Sequence, residues 1–276
     1  MPIITKRQEV LKIYEDAAEK GWVIPCLCTE NLTTTEAIIE AASEFAKDHG
    51  LKSVPVTLAI TVQYDHRSQS RNYTHSRNWE TGLKLFKADA EVLMRKDGDY
   101  DNVDLLLHLD HVQHDLDEEL CESDLSEFST IMYDASNLPL EENIAKTRKF
   151  VEKKGKEIMI EGACDEIVDA GGEAHNDITT ADKCADYMKR TGVDMVVANL
   201  GTEHRASGKD LQYHGEAAKA IRELIGPKIV LHGTSSVSNE QVRKLFEDGV
   251  CKVNIWTALE RDASPELLEL DRKSVV

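Results

Sequence analysis

The chain has 276 residues, of which 41% are hydrophobic and 30% are charged, and its formal net charge at pH 7 is −18. This hydrophobic fraction is enough for a full core, and the share of charged residues is ordinary for a soluble protein. Because no basic cluster offsets the acidic excess, the composition argues against nucleic acid and anionic membrane surfaces as partners.

The sequence also lacks targeting and redox signals. Its first ten residues, MPIITKRQEV, carry charge but no apolar signal segment, and no run approaches the ~18 apolar residues of a membrane span. The six cysteines show no C-x-x-C spacing, and four lie in apolar or strand-like runs, where a free cysteine behaves as a small hydrophobe. We therefore expect a cytoplasmic protein with reduced thiols.

Eight apolar runs, each flanked by turn signals, alternate with amphipathic segments along the chain. Near-continuous valine, isoleucine and leucine is typical of parallel strands that are covered on both faces. The predicted strands span residues 22–29, 54–61, 104–111, 130–136, 156–164, 194–202, 228–236 and 251–259.

Helical spacing occurs before and between these strands. A leading helix is predicted over 6–21, and further helices over 33–50, 140–155 and 238–249. A threonine opens the helix at 33–50 in a position to cap it, and each of the last three segments ends on a glycine, as helix C-termini often do. The longest irregular stretch, residues 63–78, follows strand two and is predicted to be a functional lid or wall.

Eight βα units in a chain of this length predict an α/β fold, the (β/α)8 TIM barrel. A doubly wound open sheet is the competing architecture, but no G-x-G-x-x-G follows the first strand. No linker or low-complexity segment divides the chain, so residues 1–276 are predicted to form a single TIM-barrel domain. The tail after strand eight, residues 260–276, is short for a complete eighth helix, and we expect it to be truncated or closed by a partner chain.

Ionisable side chains cluster where predicted strands end. The stretch LHLDHVQHDLD (107–117) follows an apolar run, and buried charge is costly unless it is paired or holds a metal. His111 ends strand three, His204 follows strand six and His232 lies in strand seven. Since the C-terminal strand ends form the active-site face of such a barrel, these three histidines predict a catalytic metal with an open coordination position.

The sequence predicts different roles for the other histidines and for Asp110 in this stretch. His108 and Asp110 are two residues apart and share one strand face, whereas His111 is predicted to lie beyond the last regular strand residue. We expect His108 to be packed or hydrogen-bonded near the barrel interior, and His114 to be solvated.

Five motifs, in order and spacing, resemble the class II, zinc-dependent fructose-bisphosphate and tagatose-bisphosphate aldolases, over about residues 5–262. They are LHLDH (107–111), IMYDAS (131–136), TGVDMVVANLGTEH (191–204), IVLHGTSS (229–236) and CKVNI (251–255).

The resemblance implies that one Zn²⁺ is bound by His111, His204 and His232, and that Asp110 exchanges a proton with the C4 hydroxyl of a ketose. Zinc can polarise the ketose carbonyl and stabilise the enediolate left by C3–C4 cleavage, while a carboxylate within hydrogen-bond reach takes the hydroxyl proton. No lysine Schiff base is required. The family also forms dimers and tetramers, which implies a homodimer or homotetramer here.

The resemblance further implies an anion pocket built from the loops after strands six, seven and eight, where backbone N–H groups suit anions. Gly233, Ser235, Asn254 and Thr257 match the substrate-binding pattern of the family.

Four positions depart from that pattern. Arg205 and Ser236 stand where the family has glycines, and Trp256 and Ala258 stand where it has aspartates. Arg205 adds a fixed charge with planar donors that could pair with a phosphate, carboxylate or sulfonate. These departures indicate either drift without a change of substrate or rebuilt anion and polyol pockets.

The strand-five carboxylates depart as well. Glu161 fits the first glutamate of the family's E-x-E-x-G, but Ala163 stands in place of the second. In the family, that second glutamate together with the match to Asp134 can hold an alternative metal site. A mobile zinc is therefore not expected. Glu173 is only a loose counterpart of a further catalytic glutamate.

The leading hypothesis is a zinc-dependent aldolase that reversibly cleaves a ketose with an anionic group, other than fructose 1,6-bisphosphate. One alternative is a metal-dependent ketose epimerase or isomerase, since an enediolate can also be reprotonated. Another is an ordinary fructose-bisphosphate aldolase. A non-catalytic barrel is disfavoured because all three histidines and Asp110 are present.

Overall fold

A computed structural model describes residues 3–96, 98–167, 178–203 and 213–274. Eight parallel strands close into a barrel in chain order, with β8 paired to β1, which confirms the predicted (β/α)8 fold. The strands are β1 (Ile24–Cys28), β2 (Val54–Thr61), β3 (Val103–Gln113), β4 (Thr130–Asp134), β5 (Met159–Ala163), β6 (Met195–Val197), β7 (Ile229–Leu231) and β8 (Val250–Ile255). The prediction at 54–61 has the bounds of β2, and each of the other predicted strands coincides with one observed strand but has shifted ends.

Helices surround the barrel. Those in the described residues are α1 (Arg7–Glu19), α2 (Leu32–Asp48), α3 (Gln69–Asn72), α4 (Trp79–Leu93), α5 (Glu118–Glu122), α6 (Leu140–Lys154), α7 (Ala181–Thr191), α8 (Gly215–Ile225), α9 (Asn239–Val242) and α10 (Thr257–Ser274). No helix in this part of the chain is both long and apolar enough to cross a bilayer.

Helix α1 closes one end of the barrel. Its buried face, formed by Val10, Tyr14 and Ala17, packs with inward-facing side chains such as Leu106 and Met159. Because α1 precedes β1, it fills the end opposite to the C-terminal strand ends. In the part of the chain that the structure describes, the accessible end of the barrel is therefore the face where β3 and β7 end.

Two helix predictions were wrong in detail. The cap of α2 is Asn31, whose side chain accepts a hydrogen bond of 2.9 Å from the backbone N–H of Thr34, so the threonine at position 33 lies inside the helix. The helix predicted over 238–249 is reduced to the single turn α9. Beyond it the chain continues in turns whose backbone hydrogen bonds join residues three apart, from Lys244 to Gln241 and from Gly249 to Phe246.

The tail was expected to be short for a complete eighth helix. It instead forms α10, a helix of 18 residues. Nevertheless the helix buries little, since Leu267, Leu268 and Leu270 are 71%, 53% and 63% exposed. A groove of about 1430 Å³ lies between α10, α2 and the outer faces of β1 and β8.

Candidate metal centre and active site

Two strand ends bring three ionisable side chains together. Asp110 and His111 in β3 and His232 after β7 are all buried, and each offers a potential ligand atom within 4.8 Å of the others. His204 and Arg205 lie outside the described residues, which end on that side at Glu203.

The backbone at His111 explains how two consecutive residues face one pocket. Strand β3 does not end before His111 but continues to Gln113, and its pairing with β4 shifts register between Leu109 and Val112. At this bulge His111 has a φ of 46°, in the left-handed region. Consecutive residues of a regular strand point to opposite faces, so the bulge turns the imidazole to the same side as the Asp110 carboxylate.

Neighbouring side chains fix the orientation of the His111 ring. Its Nδ1 lies 3.0 Å from Oδ2 of Asp134, and the Tyr64 ring stacks on it with centroids 4.5 Å apart. The His232 ring meets it edge-on at 4.8 Å. In metal-binding histidines one ring nitrogen commonly contacts a carboxylate while the other binds the metal, and the contact of His111 Nδ1 with Asp134 has this arrangement.

Asp134 is occupied by these supporting contacts. Besides His111, it accepts hydrogen bonds from the Gln113 side chain at 3.2 Å and from the Ser136 backbone and hydroxyl at 3.0 and 2.6 Å. Burial raises its pKa, but the contacts with His111 and Ser136 lower it by more, so the net pKa lies well below the ordinary value.

Asp110 is held on both sides. Asn254 donates to its Oδ1 at 2.9 Å, and the Cys28 thiol lies 3.6 Å from its Oδ2. Burial alone raises the pKa of Asp110, yet the neighbouring histidines lower it to well below the ordinary value near 3.8. The carboxylate is therefore ionised at neutral pH and able to accept a proton.

A charged network continues beneath Asp110 into the barrel. His108 is fully buried, as expected, with Nδ1 at 2.7 Å from the Thr130 hydroxyl and Nε2 at 3.4 Å from Asp110. Lys252 lies 3.2 Å from the same Nε2 and forms a fully buried ion pair with Glu161. Sequence reasoning missed Lys252, although a lysine within the apolar run of β8 was the available signal.

The loops after β6 and β7 meet backbone to backbone. Gly233 has a φ of 65°, and a Cβ there would lie 2.9 Å from the Glu203 backbone, so only glycine fits without displacement. Ser236 accepts a hydrogen bond of 2.9 Å from Glu203 N and donates one of 3.1 Å to Glu203 O. This serine, which replaces a family glycine, thus joins the two loops and does not line the pocket.

A pocket opens above Asp110 and the histidines. The predicted substrate residues Gly233, Ser235, Asn254 and Thr257 all line it. His114 lies in a turn away from this pocket, half-buried rather than fully solvated, with Nε2 3.1 Å from the Asn137 side chain.

The opposite side of the pocket comes from the stretch predicted as a lid or wall. Tyr64, His66, Arg67 and Gln69 line it, and the short helix α3, which sequence reasoning missed, begins at Gln69. The Arg67 guanidinium lies over the Trp256 ring at 4.6 Å. Sequence reasoning identified Trp256 as a departure but did not predict its partner.

The family model described as fructose-bisphosphate aldolase class-II matches residues 8–274. The chain belongs to this family. A fructose-bisphosphate aldolase of Staphylococcus aureus (strain Mu50) is 27% identical to this class II aldolase over 271 residues, covering 93% of this chain and 82% of the relative. Family membership makes the protein a metal-dependent aldolase, which is a lyase.

Solved structures show the same fold. A crystal structure of fructose-bisphosphate aldolase from Campylobacter jejuni matches this class II aldolase with a TM-score of 0.78 at 20% identity, covering 99% of this chain and 82% of that chain. The YdjI aldolase from Escherichia coli K12 matches with a TM-score of 0.71 at 21% identity, covering 100% of this chain and 89% of that chain. At such identities the likeness concerns the fold alone.

Proposed function

We propose that this class II aldolase binds one Zn²⁺ through His111, His204 and His232 and reversibly cleaves a ketose that carries an anionic group. The observation that carries the proposal is the convergence of Asp110, His111 and His232 in one buried pocket. Imidazole nitrogens and carboxylate oxygens are ligands that zinc prefers, and the Asp134 contact with His111 suits a metal ligand.

Zinc bound here would supply a Lewis acid that polarises the ketose carbonyl and stabilises the enediolate. The protein's own groups supply the rest. The ionised Asp110 accepts the proton of the C4 hydroxyl as the aldehyde forms, and Asn254 keeps the carboxylate aimed at the pocket. Backbone N–H groups of the Gly233–Ser235 turn, together with Thr257 and Arg205, bind the anionic group of the substrate.

The proposal also covers the preferred substrate, the cellular location and the oligomeric state. Arg205 and Trp256 distinguish this pocket from the family pattern, so fructose 1,6-bisphosphate is not the preferred substrate. We further propose a single-domain chain over 1–276 that acts in the cytoplasm as a homodimer or homotetramer, without nucleic acid or membrane as a partner.

Metal content and turnover of three variants test the site. His204→Ala and His232→Ala should each lose the bound zinc and the aldolase activity together, because three ligands are needed to retain the ion. Asp110→Asn should keep the zinc but lower kcat by about 10²–10⁴-fold, since an amide cannot accept the hydroxyl proton. Zinc content is measured by inductively coupled plasma mass spectrometry, and turnover is measured with ketose phosphates as substrates.

His49→Ala is the matched control, because His49 lies at the end of α2 and stacks on Phe45 outside the pocket. Full zinc occupancy in His204→Ala would contradict the ligand assignment. Turnover of Asp110→Asn near the parent rate would show that another group is the base.

A further inference from the structure

We infer that this aldolase acts on a ketose whose only anionic group belongs to the ketone half, so that the released aldehyde is uncharged and hydroxylated. The inference rests on the proposed function and adds the chemistry of the aldehyde half. It depends on four side chains, here called the Arg67 cluster: Arg67 and Trp256, which line the pocket, and Glu30 and Glu260, which contact Arg67 from behind the pocket wall.

The Arg67 cluster lies on the aldehyde side of the pocket. Trp256 packs against the small group of side chains that includes Cys28, and the Cys28 thiol is 3.6 Å from Oδ2 of Asp110. Asp110 takes the proton of the hydroxyl that becomes the aldehyde, so the wall next to this oxygen borders the aldehyde half. The Gly233–Ser235 turn follows His232 and borders the ketone half.

The charge of Arg67 is already compensated. Its Nε donates to Glu30 at 3.0 Å, and its Nη2 donates both to the second oxygen of Glu30 and to Glu260, the latter at 3.2 Å. Two carboxylates thus face one guanidinium. Among the described residues that line the pocket, Arg67 is the one lysine or arginine.

A phosphate or carboxylate on the aldehyde half would therefore meet a local excess of negative charge. Like charges brought close together in a partly desolvated pocket repel each other, and a cation engaged by two carboxylates cannot pair freely with a third anion. Sugar hydroxyls face no such repulsion. They need no cation as a partner, and the apolar face of the chain can contact the Trp256 ring, which lines the pocket.

Condensation of dihydroxyacetone phosphate with two matched aldehydes tests the inference. D-glyceraldehyde and D-glyceraldehyde 3-phosphate differ only in the terminal phosphate. The rate is measured as the consumption of aldehyde, so that all stereoisomers of the product are included. The readout is the ratio of kcat/KM for the phosphorylated to the free aldehyde. We expect a ratio of about 0.1 or lower in the parent enzyme, equivalent to tenfold or more in transition-state affinity.

Removing the two carboxylates should reverse this preference. In Glu30→Gln/Glu260→Gln, Arg67 keeps its charge without an anionic partner, so the ratio should rise by about tenfold or more. Glu260→Gln alone, at an exposed position, should give a smaller rise without risk to folding. Glu91→Gln, which removes a carboxylate from a surface pair with Lys87 on α4, should leave the ratio unchanged.

Exchange of the dihydroxyacetone phosphate C3 proton with deuterated solvent separates the two possible failures. This exchange requires the metal site and the ketone-half pocket but no aldehyde. Absence of both exchange and condensation would overturn the proposed function. Normal exchange together with a parent ratio above one, or a ratio unmoved in the double variant, would overturn the present inference alone.

Discussion

Single buried carboxylates in this barrel differ in whether a cation compensates their burial. Asp110 and Asp134 face histidines, and the pKa of each lies well below the ordinary value although burial raises it. Asp117 is fully buried and its Oδ2 accepts a hydrogen bond of 2.8 Å from the Gln113 backbone, but among the described residues no lysine, arginine or histidine forms an ion pair with it. Burial therefore raises the pKa of Asp117 to about 6.

Replacing Asp117 by asparagine should stabilise the protein in a pH-dependent way. The unfolded carboxyl ionises near 3.8 and the folded one near 6, so the parent loses stability as pH rises from about 4 to 6. At neutral pH the ionised Asp117 carboxylate therefore lowers the free energy of unfolding by roughly 2–3 kcal/mol, because its pKa is about two higher in the folded than in the unfolded protein. The amide of the variant does not titrate, and its oxygen can still accept the hydrogen bond from the Gln113 backbone.

Chemical denaturation at pH 4 and pH 7 measures the effect. The free energy of unfolding of Asp117→Asn should exceed that of the parent by more at pH 7 than at pH 4. The exposed neighbour Asp115 provides the control variant, Asp115→Asn, for which no such pH dependence is expected. A difference for Asp117→Asn that is the same at both pH values would contradict the assignment.

Strands β3, β5 and β8 are joined inside the barrel by the charged contacts of His108, Glu161 and Lys252 in addition to apolar packing. Lys252 and Glu161 are both fully buried and paired, so removing one partner leaves the other as an uncompensated charge. Lys252→Met should lower the free energy of unfolding by about 3–5 kcal/mol. Lys252→Met/Glu161→Gln should lose less than the sum of the two single losses.

Urea denaturation of the three variants measures this coupling. Lys189→Met, at an exposed position in the last turn of α7, is the control and should change stability little. A loss below about 1 kcal/mol for Lys252→Met, or strict additivity in the double variant, would show that the pair is not a coupled unit.

The order of the elements was predictable because parallel strands buried on both faces are nearly continuous apolar runs. The proximity of His111 and His232 was predictable because such strands end on one face of a barrel. Other features depend on residues distant in sequence. The left-handed His111 arises from the pairing of β3 with β4, and Lys252 meets a glutamate 91 positions away. No pattern in the neighbouring sequence predicts the conformation of His111 or the partner of Lys252.

Helices were predictable where one buried face repeats over many residues, as in α6. In the segment after β7 the same kind of spacing predicts a helix, but the structure has a single helical turn followed by tighter turns. Capping shows the same limit, since Asn31 and Thr33 both suit an N-cap and only the structure distinguishes them.

The whole molecule leaves one sector of the barrel uncovered. Helices normally cover the outer face of every strand in this fold, yet α10 stands away from β1 and β8 and leaves a groove lined by apolar residues such as Leu27, Ile38 and Leu267. A groove of this kind is consistent with the proposed assembly of identical subunits, because an uncovered apolar face favours association.

Light scattering coupled to size exclusion tests this assembly. The parent should elute as a homodimer or homotetramer, and Leu267→Glu should shift the mass toward the monomer by placing a charge in the groove. Leu224→Glu, on the exposed side of α8 with 53% of the residue accessible, is the matched control and should keep the parent mass. A monomeric parent would contradict the proposed assembly.

The contact between Glu203 and the Gly233–Ser236 turn has a consequence for how this protein can diversify. Glu203 directly precedes His204, and the turn directly follows His232, so the backbones that carry two proposed zinc ligands are fastened to each other. A lengthened or reshaped loop after β6 would have to be accompanied by a compatible change after β7. By contrast, the 63–78 stretch and Trp256 lie outside this joint and can vary without loosening it. New specificities are therefore easier to acquire on the aldehyde side of the pocket than beside the metal.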